Sequence, residues 1–459
     1  MKSSLAGIQP WISNAAMTAD AGFAGISTDS RNVAAGDLFV ALRGERFDAH
    51  DFLDEVLAKG AAALVAERLP EGCTAPALIV PDTRIALREI ARGWCAQFAI
   101  PLIGVTGSNG KTTVKEMIAA ILAAAYGEEH YLATRGNLNN EIGVPLTLFR
   151  LHAACKAAVI EMGMNHPGEI ATLAGTARPT VGLVNNAQRE HQEFMESVEA
   201  VAIENGAVIR ALPADGVAVF PADDAYAHVW RGYATEAGCR VLSFGLTPDA
   251  DLTCDWRAMD FGSELVVRAK EQQFSVRLAA AGVHNVRNAL AATACALAIG
   301  IPTEAIVRGL QAFAPVSGRL QRKTASSGAL VIDDTYNANP DSVRAAIDVL
   351  AQAAAPRVLV LGDMGEVGSE GPKFHEEVGA YAAARGIEHL LTLGELARHA
   401  AAAFGSGARH FDDIDTLNQA ALALVGAHTT ALVKGSRFMR MERVVRHLVN
   451  QETQGQETH

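Results

Sequence analysis

The residues best placed to do chemistry lie in "GVTGSNGKTTVKEM", Gly104 to Met117. A glycine-rich turn between a strand and a helix leaves backbone N–H groups at the positive end of the helix, which makes an anion site. Gly107 and Gly110 permit the tight path, and Thr106, Ser108, Asn109 and Thr113 complete it. Lys111 can neutralise β/γ-phosphate charge and the Thr112 hydroxyl can ligate Mg²⁺. The spacing is not the common one. Five residues separate Gly104 from Gly110-Lys111, and two separate Gly107 from it, whereas the usual phosphate loop has about four.

Other candidates sit where strands end. Glu161 closes the buried strand "AAVIEM", a position that suits a magnesium ligand beside phosphates. His191 follows the strand "VGLVNN" on its carboxyl side. Asn285 and Asn288 open a helix three residues apart and share a face; their amides suit base-edge or ribose hydrogen bonds, or helix capping. "VIDDTYNANPDSVRAA" (331–346) is a polar strand-to-helix junction of the kind that builds sites. "LGDMGEVG" (361–368) and "VKGSR" (433–437) follow neighbouring strands and would line the same sheet edge.

These positions need strands and helices in alternation, and the chain supplies them. Residues 1–99 alternate short strands ("GDLFVAL", "AALVAE") with helices such as "RIALREIARGWCAQF", which ends before Pro101. From 100 to 313 the pattern is strand, glycine turn, helix and strand, becoming rich in short strands after about 212. "FAPVSGRLQR" marks a second boundary, and 314–459 alternates again, ending in the polar tail "NQETQGQETH", which should fray. The expected fold is α/β in three domains: an N-terminal unit, a central P-loop-type parallel sheet and a C-terminal Rossmann-like sheet.

With 459 residues the chain is too long for one core. A net charge of −12 argues against broad nucleic-acid or membrane-surface binding. The six cysteines are scattered with no C-x-x-C pair, which fits reduced thiols in the cytoplasm. No run of 18 apolar residues and no secretory leader is visible.

Taken together, these motifs resemble the Mur ligase family, which makes ATP-dependent amide bonds in peptidoglycan precursors. The resemblance covers the whole chain, and "TGSNGKTT" has the family's own loop spacing. "DDTYNANPDS", "LGDMGEVG" and "VKGSR" are similar to the members that join D-alanyl-D-alanine to UDP-N-acetylmuramoyl-tripeptide. "STDSRNVAAGDLFVALRGERFDAHDF" (27–52) is similar to their uridine-nucleotide region, and "RGNLNNEIGVP" (135–145) to the family's substrate segment. The resemblance implies ATP and Mg²⁺ as cofactors and a cytoplasmic enzyme, expected as a monomer, without nucleic-acid partners or membrane insertion.

It also implies roles. Lys111 would contact the ATP phosphates, with Thr112, Glu161 and His191 around magnesium. Asn285 would sit near the adenine and Asp334 near the ribose, and Arg319 would reach the phosphates from the domain junction. Asp29, Ser30, Arg31 and Arg43 would hold the UDP-sugar, and Asn137 and Asn140 would lie along the substrate path. Tyr336, Asn337 and Asn339 would bind the dipeptide. Short linkers between the domains suit closure around an acyl phosphate that water must not reach.

One position departs from the family pattern. Counting from His191, Asn205 in "AIENGAV" falls where the family carries a carbamylated lysine that helps hold a second magnesium. Glu204, beside it, is expected to supply the carboxylate instead, as a metal ligand. Two alternatives remain open at this point: a family or folylpolyglutamate-synthase-like ligase with another acceptor, and a P-loop NTPase that acts as a switch. Whether the tripeptide ends in meso-diaminopimelate or Lys is also open.

Overall fold

Strands of Ala, Val, Ile and Leu are stable when buried on both faces, in parallel sheets covered by helices. The computed structural model, which describes residues 1–44, 47–270 and 272–449, contains three sheets built largely this way. The tail "NQETQGQETH" lies outside those residues, as do Glu45 and Arg46 of the 27–52 stretch.

The first sheet has five strands, with Asp37–Val40, Ala63–Ala66 and Ala77–Ile79 parallel at its centre and Ala16–Met17 antiparallel at its edge. The second has nine. Leu102–Thr106 pairs in parallel with Ala157–Glu161 on one side and Val181–Val184 on the other. Chain connections diverge at that strand, and a crevice opens outside its carboxyl end. Beyond Val217–Pro221 and Arg240–Phe244, the sheet finishes in the antiparallel strands Gly262–Ala269 and Gln272–Leu278. The third sheet has six strands. Leu330–Asp334, Thr430–Lys434, Arg357–Gly362, His389–Leu393 and Ala408–Phe411 run parallel, and Gln321–Thr324 is an antiparallel edge.

Several strands escape the sequence reading, among them short ones such as Ala77–Ile79 and Tyr131–Ala133 and the longer Leu252–Met259, Gln321–Thr324 and Ala408–Phe411. The last three are partly exposed and carry polar residues, so none of them shows the apolar run of a buried strand. The boundary near residue 99 is a change of sheet but not of core. The helix Thr83–Cys95 is capped by Asp82, and its buried Leu87, Ile90 and Cys95 share one apolar cluster with Leu148, Ile170 and Leu173 of the central unit. Among the described residues no helix is long and apolar enough to cross a membrane.

Candidate active site

The phosphate loop leaves the strand Leu102–Thr106 and enters the helix Lys111–Tyr126. Gly107 and Gly110 have φ of 126° and 84°, in the left-handed range that side chains resist. Space excludes side chains as well. A Cβ on Gly110 would stand 2.5 Å from Asn288 Oδ1, and one on Gly107 would stand 2.9 Å from Asn185 Cβ. The helix has no side-chain cap, so its first amides stay available to an anion.

Amides from the next strand hold the loop. Asn186 Oδ1 accepts from Asn109 N at 2.9 Å, and the Nδ2 groups of Asn185 and Asn186 donate to Asn109 O at 2.8 and 2.9 Å. Asn185 Nδ2 also donates to Asn288 Oδ1 at 2.9 Å, and Asn288 Nδ2 donates to Asn285 Oδ1 at 3.1 Å. Asn285 Nδ2 donates to Ala281 O at 2.8 Å. The half-buried His284 beside them has its pKa pushed down to about 4, chiefly by loss of solvent.

Catalytic candidates converge on Thr112. Its hydroxyl donates to Glu161 Oε1 at 3.0 Å, and Asn139 Nδ2 donates to the same oxygen at 2.9 Å. Glu161 is 2% exposed, and its second oxygen has no hydrogen-bond partner. Arg319, from the start of the C-terminal unit, donates from Nη2 to Thr112 Oγ1 at 3.0 Å and lies 4.1 Å over the Tyr336 ring. Lys111 Nζ donates to the carbonyls of Gly107 and Ser108 and lies 3.3 Å from Glu190 Oε2. Burial pushes the Glu190 carboxyl upward in pKa, partly offset by Lys111 and His191. His191 has φ of 50°, and its Nδ1 lies 2.7 Å from Glu366 Oε2 of the C-terminal unit. That contact holds Glu366 below the usual carboxylate range.

The C-terminal unit closes over the loop at further points. Asn339 Nδ2 donates to Asn109 Oδ1 at 2.9 Å, while Asn339 Oδ1 caps the helix Pro340–Ala351. Lys434 Nζ donates to Asp334 Oδ2 at 2.6 Å and to Asn337 O at 2.9 Å. Arg189 spans the two units, with Nη2 2.6 Å from Asp341 Oδ1 and Nη1 2.7 Å from Glu377 Oε2. These contacts border a cleft of about 1250 Å³ lined by the loop, Glu161, His191, Asn285, Arg319, Asp334 and Tyr336. Asn137, Asn140, Asn337 and Asn339 line it too. A second cavity of about 510 Å³, with Phe261, Phe313 and Val316 in its wall, shares Thr113, Asn285 and Arg319 with the first.

Some expected residues have other tasks. Glu204, the proposed metal ligand, does not line the cleft. Its two oxygens accept from the N–H groups of Gly168 and Ile170, both at 2.8 Å, at the start of the helix Glu169–Ala177. Adjacent residues on a helix point about 100° apart, and it is Asn205 that meets the loop, accepting from Gly107 N at 2.9 Å. Asn140 Oδ1 accepts from Gly143 N at 2.9 Å, in the turn that leads into the helix Gly143–Leu148. Asp29, Ser30, Arg31 and Arg43 lie away from the cleft lining. Arg31 pairs with Asp29 and holds its carboxyl down at about 2, Ser30 O accepts from Lys59, and Arg43 O accepts from Arg84. Sequence reasoning missed Asn139, Glu190 and Glu366. Asn139 and Glu366 sit inside quoted motifs and Glu190 adjoins His191, so the neighbourhood was the signal and the choice of residue needed the fold.

Comparison with known proteins agrees with this arrangement. Residues 22–94 match the Mur ligase family, catalytic domain, residues 105–296 the Mur ligase middle domain, and residues 318–437 the Mur ligase, glutamate ligase domain. A UDP-N-acetylmuramoyl-tripeptide–D-alanyl-D-alanine ligase of Escherichia coli K12 is 41% identical over 429 residues, covering 92% of this chain and 93% of the relative. A crystal structure of MurF from Acinetobacter baumannii superposes with a TM-score of 0.88 at 35% identity, covering 93% of both chains. MurF ligase from Thermotoga maritima, solved in complex with ADP, gives 0.83 at 28% identity, covering 92% of this chain and 96% of that one. The chain belongs to the Mur ligase family.

Proposed function

We propose that the chain is an ATP-dependent, ADP-forming ligase that joins D-alanyl-D-alanine to UDP-N-acetylmuramoyl-tripeptide, acting as a monomer in the cytoplasm. The observation that carries the reading is the meeting of Thr112, Glu161 and Arg319, side chains of two separate units, beside a glycine loop that ends in Lys111. All the parts come from one chain. The domain roles follow: residues 1–99 for the UDP-sugar, 100–313 for ATP, and 314–459 for the dipeptide.

A carboxylate and an amine do not condense in water, so the tripeptide carboxylate is first phosphorylated by ATP. The dipeptide amine then attacks the acyl phosphate and phosphate leaves. Lys111 and Arg319 stabilise charge on the transferred phosphoryl group, and the loop amides orient it. The second cavity, with its aromatic wall and Asn285, suits the base, with Asp334 near the ribose. Tyr336, Asn337 and Asn339, which line the cleft, would bind the dipeptide, and Asn137 and Asn140, which line it too, the tripeptide. Asp29, Ser30, Arg31 and Arg43 stand apart from this cleft, on the unit assigned to the UDP-sugar.

The site also fits Mg²⁺. The unpartnered buried oxygen of Glu161, the Thr112 hydroxyl and the His191 ring are the groups that would hold it. A bound magnesium neutralises phosphoryl charge. The reading is tested by phosphate release with each component omitted in turn, using tripeptides ending in meso-diaminopimelate and in Lys. Turnover should require ATP, one of the UDP-tripeptides and the dipeptide together. Steady hydrolysis without the dipeptide would mark a nucleotide switch and reject the ligase.

A further inference from the structure

Position 205 carries no amine that could take up carbon dioxide, and the neighbouring carboxylate is turned to other use. Glu204 is occupied by two backbone amides and Asn205 by Gly107. Among the carboxylates that do line the cleft, Glu190 is the one beside Lys111. It sits in the segment that follows the strand Val181–Val184, on the same sheet edge as the phosphate loop. Its side chain is 8% exposed, its Oε2 lies 3.3 Å from Lys111 Nζ and 3.7 Å from His191 Nε2, and its Oε1 has no hydrogen-bond partner.

Lys111 cannot satisfy Glu190 and a triphosphate at once. An ammonium has three donors, and those of Lys111 go to Gly107 O, Ser108 O and Glu190. A phosphate that claims Lys111 leaves Glu190 desolvated and unpaired, which is costly unless another cation meets it. His191 stands on the same side, its Nε2 3.7 Å from Glu190 Oε2. Its left-handed backbone is a strained conformation of the kind found at functional sites, and Glu366 Oε2 approaches Nδ1 of its ring to 2.7 Å, with Nε2 on the Glu190 side. Magnesium commonly takes one or two carboxylates and fills its shell with phosphates and water. Among the described residues no group of three or more His, Cys, Asp or Glu forms a ready cage, so phosphate oxygens would complete the shell.

We infer that Glu190, together with His191, is a ligand for a divalent cation at the nucleotide phosphates, supplying the charge that position 205 lacks. The inference rests on the ATP-dependent reading and not on which acceptor is used. It is tested on the full chain by manganese binding in the presence of a non-hydrolysable ATP analogue, followed by electron paramagnetic resonance.

Glu190→Gln, which keeps the side-chain shape, should lose one manganese ion per chain or bind it on the order of tenfold more weakly. The analogue's own affinity without a cation should hold or rise, because Lys111 is released. Glu190→Asp should restore part of the manganese binding. Glu204→Gln, which disturbs a helix cap, should keep the wild-type manganese count. Unchanged manganese stoichiometry and affinity in Glu190→Gln overturns the inference. The measurement needs no acceptor, so its failure and failure of the ligase assay are told apart.

Discussion

Arg319 makes two demands that no other cation meets together. It donates to Thr112 Oγ1 and stacks over Tyr336, and a lysine has neither the fork nor the plane for both. Arg319→Lys should lower kcat on the order of 10²-fold, read by phosphate release at saturating substrates; an unchanged kcat removes Arg319 from the chemistry. His284 gives a pH prediction. Its folded pKa, about 4, lies below the ordinary 6.5, so the unfolded chain binds the extra proton first. Its stabilisation is complete above pH 6.5 and is lost as pH falls towards 4. His284→Gln should flatten the fall in melting temperature across that window; an equal fall in both proteins rejects the assignment. At this scale the sequence singled out residues that the fold brings together, as with Thr112 and Glu161. It could not separate Glu204 from Asn205, because neighbours on a helix face different partners and the spacing from His191 does not say which faces the loop.

The loop and its helix depend on features smaller than a motif. Gly110→Ala should cost about 1–3 kcal/mol by backbone strain alone, besides crowding Asn288. Chemical denaturation should show that loss and nucleotide titration a weaker affinity; full stability in the variant contradicts the geometry. Asn339 joins two elements, capping the helix Pro340–Ala351 and touching Asn109. Asn339→Ala should therefore cost about 1 kcal/mol as a lost cap and also raise the KM for the dipeptide, while Asn339→Asp should keep the cap. Equal KM values in all three proteins would leave only the cap. Most buried strands were legible because their apolar runs are bounded by turns. The inner strand Leu252–Met259 and the edge strand Gln321–Thr324 were not, because both carry exposed polar residues along their length and so lack a continuous apolar run.

Across the whole molecule, the central and C-terminal units meet through a few polar clamps, and Arg189 with Asp341 and Glu377 is the one with the most hydrogen bonds. Arg189→Ala leaves two carboxylates without their shared cation, although Arg344 still reaches Glu377. With ATP analogue and UDP-tripeptide bound, the variant should scatter with a larger radius of gyration than the wild type; superimposable curves would show that the clamp does not hold closure. Three α/β units could be read from the alternation of strands and helices. Their shared core, where the helix Thr83–Cys95 packs into the central unit, could not, because an apolar helix face does not name its partner. The central claim, that closure brings a carboxylate to ATP for activation, is tested most directly with UDP-tripeptide carrying ¹⁸O in its reacting carboxylate. With ATP and D-alanyl-D-alanine, each turnover should place one label in the released phosphate and lengthen the tripeptide by the dipeptide. Unlabelled phosphate, or phosphate released without that product, would contradict the account.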